Sequence, residues 1–342
     1  MQLFRWCVAA CLLLVPAEVA TVPGAAASTG HPHPIASGTN AAISVPLSIT
    51  TGPDGALWFT DLGTKANPGS IGQITTSGKI TLYTGTGIDG PAGITVGPDG
   101  ALWFTNSANN SIGRITTKGK LTSYTAAGIA DPFGIVNGPD GDLWFTDFNN
   151  PGSFGQITMK GKITIHTGSD IVEPFGITTG QGGALWIATE ATTKTRKGSI
   201  DKIVPNAKNS STGKVTVYTN AGVDQPTGIT LGPDGALWFT NYAGNSIGRI
   251  TTAGKGTLFT GKGIDEPYLI TSGPDGAVWF TNYADNSIGR ITTTGTVTIY
   301  TGNGTDAPAG ITTGPDGALW FTNSGNNSIG RITTSGNIVN YR

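Results

Sequence analysis

Cysteine is almost absent from this 342-residue chain: there are two, Cys7 and Cys11, both near the start. If that start is removed, the remainder holds no thiol, which excludes disulfides, zinc–thiolate sites and a cysteine nucleophile. Charge is equally scarce. Lys and Arg number 20, Asp and Glu 21, and together they make 12% of the residues. Such a chain offers no basic footprint for nucleic acid or an anionic membrane surface. Histidine occurs three times, as His31, His33 and His166. No apolar run is long enough to span a bilayer as a helix. What is present instead is 37% apolar residues, 53 glycines and eight tryptophans.

The first residues read as an export signal. Arg5 supplies a positive start, and residues 6–15 form a short apolar run. Ala25-Ala26-Ala27 gives the small-x-small pattern that places cleavage after Ala27. Residues 1–27 are therefore expected to be a secretory signal, with the mature protein extracellular or periplasmic. Residues 28–40, rich in Ser, Gly, His and Pro, read as a flexible leader. Residues 41–342 are one folded unit, expected as a monomer.

That unit is a repeat. Trp58, Trp103, Trp144, Trp186, Trp238, Trp279 and Trp320 mark seven copies, and the fourth is lengthened. Each copy holds four short β-rich runs, in the second copy residues 94–96, 101–105, 112–116 and 121–125. Gly97-Pro98-Asp99-Gly100 turns the first run into the second, with Pro presetting the turn and Gly closing it. Four antiparallel strands at a period near forty residues make a propeller blade. The fold class is all-β, a seven-bladed β-propeller with four antiparallel strands per blade. Leu102-Trp103-Phe104 is apolar on both faces, as expected for a strand covered by blades on either side. The tryptophans are thus core residues. The final run, residues 338–341, completes blade seven without help from the N-terminus, although residues 41–45 could add an edge strand.

Strand order places the link into each blade and the loop after each tryptophan strand on one face, the usual place for a propeller site. Positions that break the repeat carry the information. After the proline that opens each copy stand Leu47, Ala92, Phe133, Phe175, Thr227, Tyr268 and Ala309; before it stand Val45, Gly90, Asp131, Glu173, Gln225, Glu266 and Ala307. The bland reading is a wet channel lined by whatever the repeat tolerates. The sharper one is a pocket on the side of blades three to six, with Phe133, Glu173, Phe175, Thr227, Glu266 and Tyr268 as ligand contacts. Asp61, Asn106 and their counterparts after the tryptophan strand are expected to bond backbone in the following loop. Glu190 comes one position later and is a candidate for chemistry. The insertion around Lys194, Arg196 and Lys197 reads as a solvated loop. His166 replaces the tyrosine or phenylalanine of an outer strand, so no histidine is placed as a base at the mouth.

The repeated unit, Pro-x-Gly-Ile-Thr-x-Gly-Pro-Asp-Gly-Ala-Leu-Trp-Phe-Thr-Asn followed by Asn-Ser-Ile-Gly-Arg-Ile-Thr, resembles the virginiamycin B lyase (streptogramin lyase) family across all seven copies, from Pro46 to Arg342. The resemblance implies a magnesium-dependent elimination that opens a cyclic lactone. It implies a histidine after the proline of blade six, Glu-Pro-His in blade seven, a glutamate after the tryptophan strand there, and a tyrosine after the proline of blade one. The chain has Tyr268, Ala307-Pro308-Ala309, Thr322-Asn323 and Leu47 at these places. Base and metal ligands are missing from the matching positions. The expectation is a lyase-like propeller without that activity, binding a small molecule, glycan or protein at the channel mouth. The alternative is a lyase or hydrolase that uses Glu266, Glu173 or Glu190. Magnesium is implied by the resemblance alone, and no metal ligand is nominated.

Overall fold

The computed structural model describes residues 33–35, 42–64, 66–148, 152–167, 171–190, 198–205, 213–219 and 222–342. They form seven antiparallel sheets, one per blade, in each of which the four blade strands lie side by side in chain order. Blade two is representative: Pro91–Val96, Leu102–Asn106, Ser111–Ile115 and Leu121–Tyr124, from the channel outward. The first strands of successive blades lie side by side, and that of blade seven, Pro308–Thr313, lies against that of blade one, Pro46–Thr51. The ring is closed, and blade seven is complete through its own outer strand, Ile338–Tyr341. Residues 42–45 stay outside the sheets. Within the expected leader, His33–Ile35 pairs with the outer strand of blade one, Ile80–Thr84. No helix of the described residues is long and apolar enough to cross a membrane.

Apolar residues concentrate between blades. Trp58 packs with Leu102, Phe104 and Ile115 of the next blade, and the same arrangement recurs around the ring. The seven tryptophans are at most 3% exposed, as a core role requires. Each stacks on the aromatic residue of its outer strand, as Trp103 does on Tyr124 at 5.4 Å. In blade three that partner is His166, 5.5 Å from Trp144 and buried, so the imidazole is an edge-strand aromatic held in its neutral form by burial.

The tryptophan also ties down its turn. Trp103 Nε1 donates to Asp99 at 3.0 Å, and Arg114, whose guanidinium lies over the indole ring, donates to the other oxygen at 2.6 Å. Burial pushes Asp99 up, but the hydrogen bonds from Trp103, Arg114 and the Ala101 amide outweigh it, and the carboxyl lies below its usual range. Blades five, six and seven repeat the triad. Blade four does not: Gly180-Gln181-Gly182-Gly183 supplies no carboxylate, and Trp186 Nε1 finds no acceptor among the described residues.

A bulge explains how the blades are joined. In every blade the pairing of first and second strands shifts between the proline and the isoleucine three residues on. The two residues in between leave the ladder, and their backbone groups need other partners. Threonine of the tryptophan strand supplies them. Thr105 Oγ1 accepts from Gly93 N at 2.8 Å in its own blade and donates to Phe133 O of the next at 2.7 Å. Thr322 does the same across the closing seam, reaching Leu47 O at 2.9 Å. Blade four again departs, with Ala188 at this position. The backbones meet so closely here that a Cβ on Gly93 would lie 2.2 Å from Phe133 O.

In six blades the Asp or Asn that ends the tryptophan strand bonds backbone of the preceding linker, where the following loop was expected; blade four has Thr189 there. Asn106 accepts from Asp89 N at 3.1 Å and donates to Gly87 O and Ser111 Oγ. Asp61 accepts from Ser44 N at 2.7 Å and Ser70 Oγ at 3.0 Å, and Asp147 accepts from Ser153 Oγ. Burial pushes both Asp61 and Asp147 up to about 7.

Two outcomes follow for stability. Thr322→Val keeps the shape but leaves Gly310 N and Leu47 O without their partner, and is expected to cost about 2 kcal/mol in urea unfolding. For Asp61, the folded carboxyl titrates above its unfolded value, so the native state binds more protons between pH 4 and 7 and its contribution to stability declines as pH rises through that window. Asp61→Asn keeps the hydrogen bonds in the form used by Asn106. Its gain over the natural chain is expected to grow from near zero at pH 4 to roughly 1–3 kcal/mol at pH 8.

Candidate functional site

At the rim where each blade begins, two sequence columns meet. The carbonyl of the residue before each proline accepts the amide of the residue just past the tryptophan strand: Asp131 O from Phe148 N at 2.9 Å, Glu173 O from Glu190 N at 2.9 Å, Gln225 O from Tyr242 N at 3.0 Å, Glu266 O from Tyr283 N at 3.1 Å. The residue before proline has positive φ in all seven blades, from 43° at Glu266 to 62° at Val45. Only Gly90 takes this conformation freely. For the others it is held by the hydrogen bond on the carbonyl and, in several blades, by an asparagine of the preceding blade on the amide. Asn245 Oδ1 accepts from Glu266 N at 2.8 Å, and Asn327 Oδ1 from Val45 N at 2.9 Å across the seam. Because the geometry recurs in every blade it is architectural. Its effect is to fix where these side chains stand at the mouth.

The residues after proline converge on the axis. Leu47, Ala92, Phe133, Phe175, Tyr268 and Ala309 form one buried apolar cluster with Tyr242, and Phe148, Leu269 and Tyr283 pack against it. Phe133 and Phe175 lie 3.9 Å apart, Phe175 meets Tyr268 edge-on at 5.6 Å, and Tyr242 and Tyr283 flank Tyr268 at 6.3 and 6.2 Å. Below them the channel is a cavity of about 140 Å³ lined by the inner-strand isoleucines, from Ile49 to Ile311. Ser48 and the inner-strand glycines share that lining with the isoleucines and with Leu47, Phe133, Phe175 and Leu269.

Polar groups gather on one side. Tyr242 Oη donates to Glu266 Oε2 at 2.7 Å. Burial, that hydrogen bond, and the charges of Glu266, Tyr283 and Glu190 hold the Tyr242 phenol above its usual range. Burial first, then Glu190, Tyr242 and Tyr283, do the same for Tyr268. On blade three, burial pushes Asp131 up to about 6.

Of the six nominated contacts, Phe133, Phe175 and Tyr268 come together, but as a floor that is 2–7% exposed. Glu173 and Glu266 stand partly exposed above it. Thr227 belongs to the blade seam, its hydroxyl donating to Tyr268 O at 2.8 Å. The charge of Glu190 acts on Tyr242 and Tyr268, and the loop with Lys194, Arg196 and Lys197 lies outside the described residues. Phe148, Tyr242 and Tyr283 were missed. The signal was available: they share a column with Glu190, four residues after each tryptophan, which reads Leu62, Ser107, Phe148, Glu190, Tyr242, Tyr283, Ser324.

A magnesium site of the kind the resemblance implies does not fit these residues. Tyr268 is a buried neutral phenol, Ala307 and Ala309 offer no donor, and buried Asn323 gives its amide to Ser328 and Asn340. Among the described residues no three His, Cys, Asp or Glu side chains are grouped to hold a metal.

A closed ring of seven near-identical blades, with its variation gathered at one mouth, defines a seven-bladed β-propeller whose site lies at the channel entrance. The chain belongs to the virginiamycin B lyase family, whose sequence profile matches residues 37–197 and 192–342. A streptogramin B lyase structure is 33% identical with a TM-score of 0.74, covering 89% of this chain and 97% of that one. Virginiamycin B lyase from Staphylococcus aureus is 34% identical with a TM-score of 0.73, covering 88% and 98%. A catalytically inactive form of that protein, solved with quinupristin, is also 34% identical with a TM-score of 0.74, covering 88% and 98%. No curated protein matches the chain in sequence.

Tyr268 has a packing role and a polar one, and two substitutions separate them. Tyr268→Ala empties a fully buried site and is expected to cost about 3 kcal/mol. Tyr268→Phe keeps the floor and is expected to cost under about 1.5 kcal/mol. Urea unfolding of both variants checks this.

Proposed function

We propose that this protein is a secreted, lyase-like propeller that does not linearise streptogramin B and acts as a binding module through its channel mouth. One observation carries the reading. Where the family resemblance calls for a tyrosine in blade one and histidines in blades six and seven, the chain has Leu47, Tyr268 and Ala309. These three are packed into the apolar floor at 2%, 2% and 0% exposure. An elimination needs a base within reach of the proton removed and an acid or metal on the leaving oxygen. Side chains buried against one another in that ring do neither. The same floor, rimmed by Glu190, Tyr242, Glu266 and Tyr283, has the makeup of a ligand pocket, mostly apolar with a few polar groups at fixed places. Export is supported by the apolar run at residues 6–15 and the small residues before Ser28.

The mature protein incubated with a streptogramin B antibiotic and magnesium is expected to give no linear product by mass spectrometry. Turnover that disappears in Glu266→Gln would overturn this reading in favour of a lyase built on residues other than the family's.

A further inference from the structure

Among the described residues, the two rims of the ring differ in charge. At the mouth, the linkers into blades two to seven each place a carboxylate one or two residues before the proline, as Asp89, Asp131, Glu173, Asp224, Glu266 and Asp306 show. All six are partly exposed. The described basic side chains at this rim, Lys262 and Arg342, stand at the outer edge, beyond the outer strands of blades five and seven. The opposite rim is the reverse. Its turns between third and fourth strands carry Lys79, Lys120, Lys162 and Lys255, and in four blades the aspartate of its Gly-Pro-Asp-Gly turn is paired with an arginine. Charge of one sign around a concave, low-dielectric opening raises the local concentration of ligands of the other sign.

Aromatic faces lie inside that acidic rim. Tyr242 and Tyr283 flank Tyr268, Phe148 meets Phe175 edge-on at 6.0 Å, and Tyr242 and Tyr283 each belong to the column that borders the opening. Glu266 is fixed beside them by the Tyr242 hydroxyl, and Glu190 acts electrostatically on the same phenols. A ring face attracts a cation through its quadrupole, and the attraction strengthens as water is excluded. A carboxylate alone would favour a small hydrated ion, and an aromatic floor alone a neutral apolar molecule. Their combination selects a cation with an apolar body.

We propose that the mouth binds an organic ammonium ligand, its charge flanked by Glu266 and Glu190 and its carbon skeleton resting on Tyr242, Tyr283 and Phe148. This rests on the reading of the mouth as the binding site and adds the chemical class of the ligand.

The test compares choline with 3,3-dimethylbutan-1-ol, which has the same shape without the charge, by calorimetric titration into the mature protein at low ionic strength. Choline is expected to bind at least tenfold more tightly. Glu266→Gln keeps an acceptor for Tyr242 and is expected to remove most of that preference, whereas Lys120→Gln on the opposite rim leaves it unchanged. Raising the salt to about 0.2 M is expected to weaken choline binding and leave the alcohol unaffected. Equal binding of the two probes, or no binding of either, overturns the assignment. If a different ligand found by screening still loses affinity in Glu266→Gln, the mouth stands as the binding site and the cation reading alone falls.

Discussion

The structure depends on one threonine hydroxyl used twice. A bulge after each proline takes two residues of the inner strand out of their ladder, leaving an amide and a carbonyl in need of partners. The threonine of the tryptophan strand accepts from the first within its blade and donates to the second in the next. Blade spacing is thereby set at the channel wall, where the backbones approach too closely for a side chain at Gly93 or Gly310. The tryptophan clusters then fill the wedges that open outward. Blade four has Ala188 for this threonine and lacks the turn aspartate for Trp186, and it also carries the longest departures from the repeat. With two of the recurrent contacts gone from the same blade, its local cohesion rests more heavily on apolar packing.

The same bulge makes the site. Residues after the prolines are turned toward the axis and form the floor, and residues before them are held at positive φ around the rim. Since both are fixed by backbone contacts that recur in every blade, their side chains can vary without disturbing the fold. Variation is lopsided: in the columns just before and after the proline and four residues past the tryptophan, blades one, two and seven carry leucine, valine, serine, alanine and glycine, while every aromatic and acidic residue of these columns lies in blades three to six. Relative to the family resemblance, polar chemistry is missing from the blade-seven side and present on the other.

Blade number, strand order and the buried role of the tryptophans were legible in the sequence because each rests on a short-range pattern repeated seven times. Face assignment was also legible, since alternating strand direction fixes it. The depth of each side chain was not. Seven residues aimed at one axis crowd one another, so Phe133, Phe175 and Tyr268 became a floor, and Thr227, adjacent to a bulge, was drawn into the seam. Pairing between distant columns was hidden as well. Tyr242 and Tyr283 vary in plain view, but nothing local shows that their amides bond the residue before proline and so bring them to the rim. The asparagine contacts were misplaced for the same reason: the linker they reach lies about twenty residues earlier in the chain.

The seam between blades seven and one uses contacts that recur at other seams, down to Thr322 on Leu47 O and Asn327 on Val45 N. Among the described residues no strand is shared across it. Here the ring has no privileged joint. The fold is in effect a circle whose closing link is built like the others, and the order in which the chain visits them is a matter of where synthesis starts, with no bearing on how the circle holds.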